Sequence, residues 1–185
     1  DFGEYFTDTK DANFFFGVTL NGPNYTIYSD TLKYNTDSKW AYVTGPSEIH
    51  NGANRIYTEL GYYNTHLELA KLYKRSTLRG SNRVMTGDTI IYDKLSGDMF
   101  AYNNIDYHDQ ANKNILQGNY VWYNELTGSA LVYDRALVKD YSSGPDTLYM
   151  HADTIKLTTY NLNTDSVSRI VEGYYHVRAY KTDVQ

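Results

Sequence analysis

The sequence predicts an all-β chain assembled from about five copies of one strand-pair unit. Three observations lead there. Strand-favouring aromatic residues are in excess, headed by 21 tyrosines. A self-similarity of about 30 residues runs along the chain, as in stacked repeat architectures. Apolar residues alternate with period two, and no i, i+3, i+4 stripe with helix caps is sustained.

The tyrosines stand beside six Phe and two Trp, with only three Pro, in 185 residues. Tyr suits half-buried strand faces because its ring packs while its hydroxyl stays wet. The length fits a single domain, residues 1–185. A net charge of −5 and scattered Lys and Arg leave no basic stripe, so no nucleic-acid partner is expected. Cysteine is absent, which removes disulfides, thiolate metal sites and Cys nucleophiles together. No apolar run approaches the roughly 20 residues of a membrane-spanning helix, and no signal peptide opens the chain. Because it begins at Asp1, a mature form or excised fragment is expected.

The repeats start near residues 27, 56, 85, 116 and 150. The first two align without a gap at Ile27/Ile56, Tyr28/Tyr57, Tyr34/Tyr63, Asn35/Asn64, Thr36/Thr65, Ala41/Ala70 and Ser47/Ser76. The third and fourth align at Gly87/Gly118, Tyr92/Tyr123, Leu95/Leu126, Gly97/Gly128, Tyr102/Tyr133 and Asp109/Asp140. The fifth, from Met150, is looser, as expected for a terminal copy of a stack. Each copy reads as strand, tight turn, strand. Gly97 and Gly128 fall late in their turns, where positive φ lets a short hairpin close. Leu67 to Leu72 takes the strand reading of its repeat partner.

Alternation also assigns faces. Leu32, Ile90, Val121 and Ile155 share one repeat position, and Tyr34, Tyr92, Tyr123 and Leu157 lie two residues later on the same face. These eight are taken as the interior strip and the candidate ligand-contacting residues. Lys33, Tyr62, Ile91, Trp122 and Lys156 face the other way.

Sites of chemistry are sparse. The five histidines, His50, His66, His108, His151 and His176, lie in different repeats without metal-ligand spacing, so no metal site is expected. Recurring carboxylates at Asp30, Glu59, Asp88 and Asp153 could supply an acid and a base. Their once-per-repeat position at the start of a strand favours local backbone hydrogen bonding instead. Nucleophile-elbow, P-loop and dinucleotide motifs are missing, so neither catalytic residues nor a cofactor is expected. Asn24-Tyr25-Thr26 forms an isolated sequon, and Phe14-Phe15-Phe16, the most apolar segment, reads as a buried strand or end plug, or as a lipid-contacting surface.

The segments Ser29-Asp30-Thr31-Leu32-Lys33-Tyr34-Asn35, Gly87-Asp88-Thr89-Ile90-Ile91-Tyr92-Asp93 and Ala152-Asp153-Thr154-Ile155, with the closing Glu172-Gly173-Tyr174-Tyr175-His176-Val177, resemble the repeat of the OstA-like (organic solvent tolerance protein A) periplasmic lipopolysaccharide-transport family. The resemblance extends from about Tyr25 to Val177, with Asn119 at the acidic position of the fourth copy and Gly61 at an aliphatic position of the second. It implies an open twisted β-jellyroll of stacked antiparallel strands whose interior is a groove for acyl chains. It further implies a non-enzymatic lipid-binding role in the periplasm of a Gram-negative bacterium, carrying lipopolysaccharide towards the outer membrane. Partners would be lipid A acyl chains, sister transport domains docked through edge strands, and further copies of this chain end to end. Two other readings stay open: a surface adhesin or carbohydrate-binding module using Trp40, Tyr42, Tyr62 and Trp122, and an enzyme on a β-helix scaffold.

Overall fold

A computed structural model describes residues 2–142, 144 and 146–182 of the chain. Among them every regular element is a strand: β1 (Phe2–Phe6), β2 (Asp11–Asn21), β3 (Tyr25–Asn35), β4 (Trp40–Asn51), β5 (Asn54–Asn64), β6 (Leu69–Arg79), β7 (Arg83–Asp93), β8 (Asp98–Asp109), β9 (Asn114–Asn124), β10 (Ser129–Asp140), β11 (Leu148–Tyr160), β12 (Ser168–Tyr174) and β13 (Arg178–Lys181). Each strand from β1 to β11 pairs antiparallel with the next, and β13 also pairs with β11. The sheet stays open, because β1 does not meet the last strands. A repeat is one such strand pair, so the all-β, open, stacked architecture read from the sequence is the one present.

Strands β2 to β11 run 11 to 13 residues, and each is bent in the middle. In β7 the buried residues run Met85, Gly87, then Ile90, Tyr92, a three-residue step inserted into a two-residue alternation. Every pairing from β2–β3 to β10–β11 shows a register shift at the matching place, for instance between Thr86 and Thr89 against β8. A bulge keeps the same face inward on both sides of a bend. The sheet therefore folds along a crease into two halves. The isoleucine half carries Ile27, Ile49 and Ile56, and the tyrosine half carries Tyr34, Tyr63, Tyr92 and Tyr123. Tyr107 pairs with Leu116 in β9, seven residues from Tyr123, which is about 23 Å along a straight strand. Yet the Tyr107 and Tyr123 rings lie 5.4 Å apart, so the halves face each other.

Chemistry at the crease explains which residues recur there. β6, β8 and β10 turn the bend with two consecutive left-handed residues: Lys74 and Arg75, Asn103 and Asn104, Asp134 and Arg135. β2 uses Phe16 and Gly17, while β4 uses Gly45. The intervening strands place Asp30, Glu59, Asp88, Asn119 and Asp153 at their own bends. Asp88 accepts from the Asn104 amide at 2.6 Å and faces Arg75 at 3.6 Å, and Asn119 donates to Asp134 at 3.0 Å. The expected position of these carboxylates at strand starts is thus corrected to mid-strand, where bulged pairing frees groups for them to bind. Tyr175 and His176 repeat the left-handed pair between β12 and β13, so these two are one bent strand folded over β11.

Beside the crease the walls converge, and the inward residues are small. The hydroxyls of Ser29 and Ser47 lie 2.8 Å apart, as do those of Thr58 and Ser76; in each pair one hydroxyl donates to the other, which donates in turn to a carbonyl released by a bulge. Gly87, Gly118, Ala136 and Ala152 continue the row. A Cβ on Gly118 would come within 2.6 Å of Val132 Cγ1.

Candidate functional site

Six of the eight interior residues singled out in the sequence are sealed. Leu32 and Ile90 are 0 % exposed, Ile155 1 %, Val121 3 %, and Tyr92 and Tyr123 4 % each. They belong to one buried apolar cluster with residues of the facing half. Tyr34 and Leu157, at the two ends of the strip, remain partly exposed. The neighbouring Lys33 and Lys156 point outward into solvent.

The ends differ from the middle in a systematic way. Partly buried apolar side chains packed on the core are Phe14, Val18, Leu20, Tyr25 and Tyr34 at one end, and Met150, Leu157 and Val171 at the other. β1 covers only Asp11 to Phe15 of β2, so among the described residues Val18 to Asn21 has no strand beyond it. The triple Phe is split by the bend: Phe14 packs on the core, whereas Phe16 is 73 % exposed. The edges of the sheet are accordingly β1 with the free part of β2 at one end, and β12 with β13 at the other.

Between the halves, midway along the stack, lies a cavity of about 250 Å³. Leu78, Met85 and Tyr107 come from the isoleucine half; Tyr92, Met99 and Tyr123 come from the tyrosine half. Asn54, Arg83 and Glu125 stand at its mouth. Arg83 faces Asp109 at 3.3 Å and its guanidinium sits 5.7 Å from the Tyr123 ring centre. Glu125 accepts from the Tyr92 hydroxyl at 2.9 Å. Tyr107 is 3 % exposed, and its hydroxyl is sealed from solvent beside that of Tyr123. Burial pushes the pKa of this phenol upward, so it stays protonated.

No protein-family model matches the chain, and none of the curated proteins gives a match.

Next to the cavity the two halves are clasped. Asn51 of the isoleucine half donates to the Tyr63 hydroxyl at 2.8 Å and to Glu68 at 3.2 Å, and accepts from Lys94 at 2.8 Å. Lys94 also faces Glu68 at 3.1 Å. Burial opposes ionisation of Glu68, yet the bonds from Asn51 and Lys94 hold its pKa below the ordinary 4.5.

The outer surface of the tyrosine half carries a second feature. Tyr42, Tyr62, Lys71, Ile91, Phe100, Trp122 and Leu131 stand in one row across successive strands. Tyr62 packs against Trp40, Tyr42 and Tyr73, and Lys71 reaches to 5.5 Å over the Trp40 ring.

The histidines pair locally instead of converging: His50 with Glu48, His108 with Asp106 and His176 with Asp153. Among the described residues no group of three or more His, Cys, Asp or Glu could hold a metal ion. Sequence reasoning missed Asn54, Arg83, Met85, Met99, Tyr107 and Glu125. A signal existed for two of them. Tyr107 stands where other repeats carry an aliphatic residue, and Met99 where they carry Ala41, Ala70 and Ala130.

Proposed function

We propose that this protein is a non-enzymatic, OstA-like lipid-binding domain of the Gram-negative periplasm that carries or bridges lipopolysaccharide towards the outer membrane. One observation carries the reading: the apolar interior runs through the whole stack and is left uncovered at both ends, around Phe14 and Tyr34 and around Leu157 and Val171. Apolar surface placed against acyl chains is desolvated at about 0.8 kcal/mol per methylene. The same open ends suit docking of a sister domain, whose interior would extend the strip. Support for a non-catalytic role comes from the recurring carboxylates, since Asp88 and Asp153 are engaged at bends with Asn104 and His176.

Photo-crosslinking residues placed at Tyr34 and Leu157 should capture lipopolysaccharide in a producing host, whereas those at outward Lys33 and Lys156 should not. The same label at sealed Tyr92 or Tyr123 reports whether the halves splay apart during loading. Equal capture at inward and outward positions, or none at either, would overturn the lipid reading.

A carbohydrate-binding module is the second reading, favoured by the outward aromatic row. If it holds, Tyr62→Ala and Trp122→Ala abolish retardation in polysaccharide-containing gels without lowering the melting temperature.

A further inference from the structure

Three residues that break the repeat meet in space. Asn51 ends β4, whereas β6, β8 and β10 bring Gly80, Asp109 and Asp140 to the same repeat position. Glu68 takes the turn position that Gly97 and Gly128 fill in the third and fourth copies, and holds it at φ 52°, a strained conformation for a residue with a side chain. Lys94, just past β7, stands where Thr36 and Thr65 follow β3 and β5. Lys94 Nζ lies 2.8 Å from Asn51 Oδ1 and 3.1 Å from Glu68 Oε2, while Asn51 Nδ2 donates to Glu68 Oε1 at 3.2 Å. Since a carbonyl bond measures about 1.23 Å, Nζ is no more than about 4 Å from Asn51 Cγ.

We propose that these three residues are a self-modification site, at which the Lys94 amine displaces ammonia from the Asn51 side-chain amide and leaves an isopeptide bond between the two halves. The hydrogen-bonded clasp is the state before reaction. Lys94 passes one ammonium proton to Glu68, and its neutral amine attacks Asn51 Cγ. The Cγ–Nζ bond forms as the Cγ–Nδ2 bond breaks, and a second proton from Nζ leaves with Nδ2 as ammonia. Glu68 then gives up its proton to water, so the balance calls for no further reactant. Glu68 suits the task because it touches both nitrogens, the one that attacks and the one that leaves. Although burial opposes it, Glu68 is ionised at neutral pH and starts as the base. The groups are also held in place. Asn51 is 6 % exposed and its amide donates to the buried Tyr63 hydroxyl at 2.8 Å, while the Lys94 backbone N–H donates to the Glu68 carbonyl at 3.3 Å. Fixed proximity of this kind replaces the chance encounter of an amine with an amide.

The test is the intact mass of the full chain, purified folded and followed over days at neutral and mildly alkaline pH. A mass one ammonia below that of the sequence is expected. Tryptic digestion should then join the peptide of Asn51 to that of Lys94, with cleavage after Lys94 blocked. Lys94→Met should keep the full mass expected of its sequence, and Glu68→Ala should slow the reaction about 100-fold or more. The linked protein should also melt at a higher temperature than Lys94→Met, since the bond restricts the unfolded chain. If either variant fails to fold, the mass of the parent protein decides alone. An unchanged sequence mass in the parent protein would overturn the proposal. So would ammonia loss that persists in Lys94→Met, which places the attack at the Gly52 backbone nitrogen and makes a succinimide. An undiminished rate in folded Glu68→Ala would remove Glu68 from the chemistry. The lipid reading is tested separately at Tyr34 and Leu157.

Discussion

At the level of single residues, backbone conformation distinguishes positions that look alike in the sequence. Asn103 (φ 59°) and Asn104 (φ 52°) tolerate the left-handed region, because a short polar side chain can bond locally. Lys74 (φ 60°) and Arg75 (φ 49°) occupy the equivalent bend in β6 with no such help. A left-handed L-residue costs about 1–2 kcal/mol, and glycine returns part of that as chain entropy. Lys74→Gly should therefore stabilise the protein by about 0.5–1 kcal/mol in urea unfolding, and a loss of stability would show that the Lys74 stem contributes packing. The opposite sign applies at Gly97, which has φ 74° and where a Cβ would lie 2.7 Å from Leu126 Cγ. Strain and overpacking act together there, and Gly97→Val should cost about 1–3 kcal/mol. An unchanged midpoint would mean that the hairpin rearranges freely.

Along the strands, packing follows an alternation of large and small. On the tyrosine half the inward row reads Ala12, Tyr34, Ala41, Tyr63, Ala70, Tyr92, Met99, Tyr123, Ala130, Leu157 as one crosses the sheet from β2 to β11. Each Tyr stands in register beside an Ala, so a large ring meets a small neighbour in every repeat. Ala70 is 0 % exposed between Tyr63 and Tyr92, so Ala70→Leu should cost about 1–3 kcal/mol through overpacking. A neutral result would place slack where none is seen. Much of this was legible in the sequence: repeat spacing located the strands, Gly97 and Gly128 marked the turns, and alternation gave the inward face of the tyrosine half. The crease was not legible. Its three-residue step in the burial pattern breaks a period-two reading, so the inward residues Met85 and Gly87 fall out of phase with Ile90 and Tyr92. Asp88, sitting at that break, looks like a strand start when only the second half of β7 is recognised. The Asn-rich composition has a local cause as well. Asn35, Asn64 and Asn124 each accept two backbone N–H groups of their own turn and donate to the preceding hairpin.

At the scale of the whole molecule, folding over the crease brings together residues that no local pattern connects. Tyr107 reaches Tyr123, and Asn51 reaches Glu68 and Lys94, only because the two halves close face to face. The tyrosine wall of the cavity could thus be read from the repeats, whereas Asn54, Arg83 and Tyr107 opposite could not. Closure of the stack is also incomplete lengthwise, since among the described residues Val18 to Asn21 offers an unpaired edge beside the partly buried Phe14 and Leu20. Such edges pair with other chains unless blocked, so sedimentation should show association that grows with concentration. Val18→Lys, an inward charge on that edge, should suppress it; association unchanged by the substitution would move the contact elsewhere. Closure of the two halves on each other depends in turn on pH. In the unfolded chain Glu68 ionises with an ordinary carboxylate pKa, whereas in the fold the bonds from Asn51 and Lys94 outweigh burial and lower it. The unfolded state therefore takes up the proton first as pH falls. The stabilisation is fully present above the ordinary value and is lost as pH drops through the lowered folded value. Asp11 and Asp98 are lowered too, by side-chain bonds first from Asn35 and Asn124 respectively, so the whole protein should weaken below about pH 4. Glu68→Gln should lower the melting temperature at neutral pH and flatten the acid limb in part, leaving the contribution of Asp11 and Asp98. An acid limb identical to that of the parent protein would show that the clasp between Asn51, Glu68 and Lys94 does not hold the halves together.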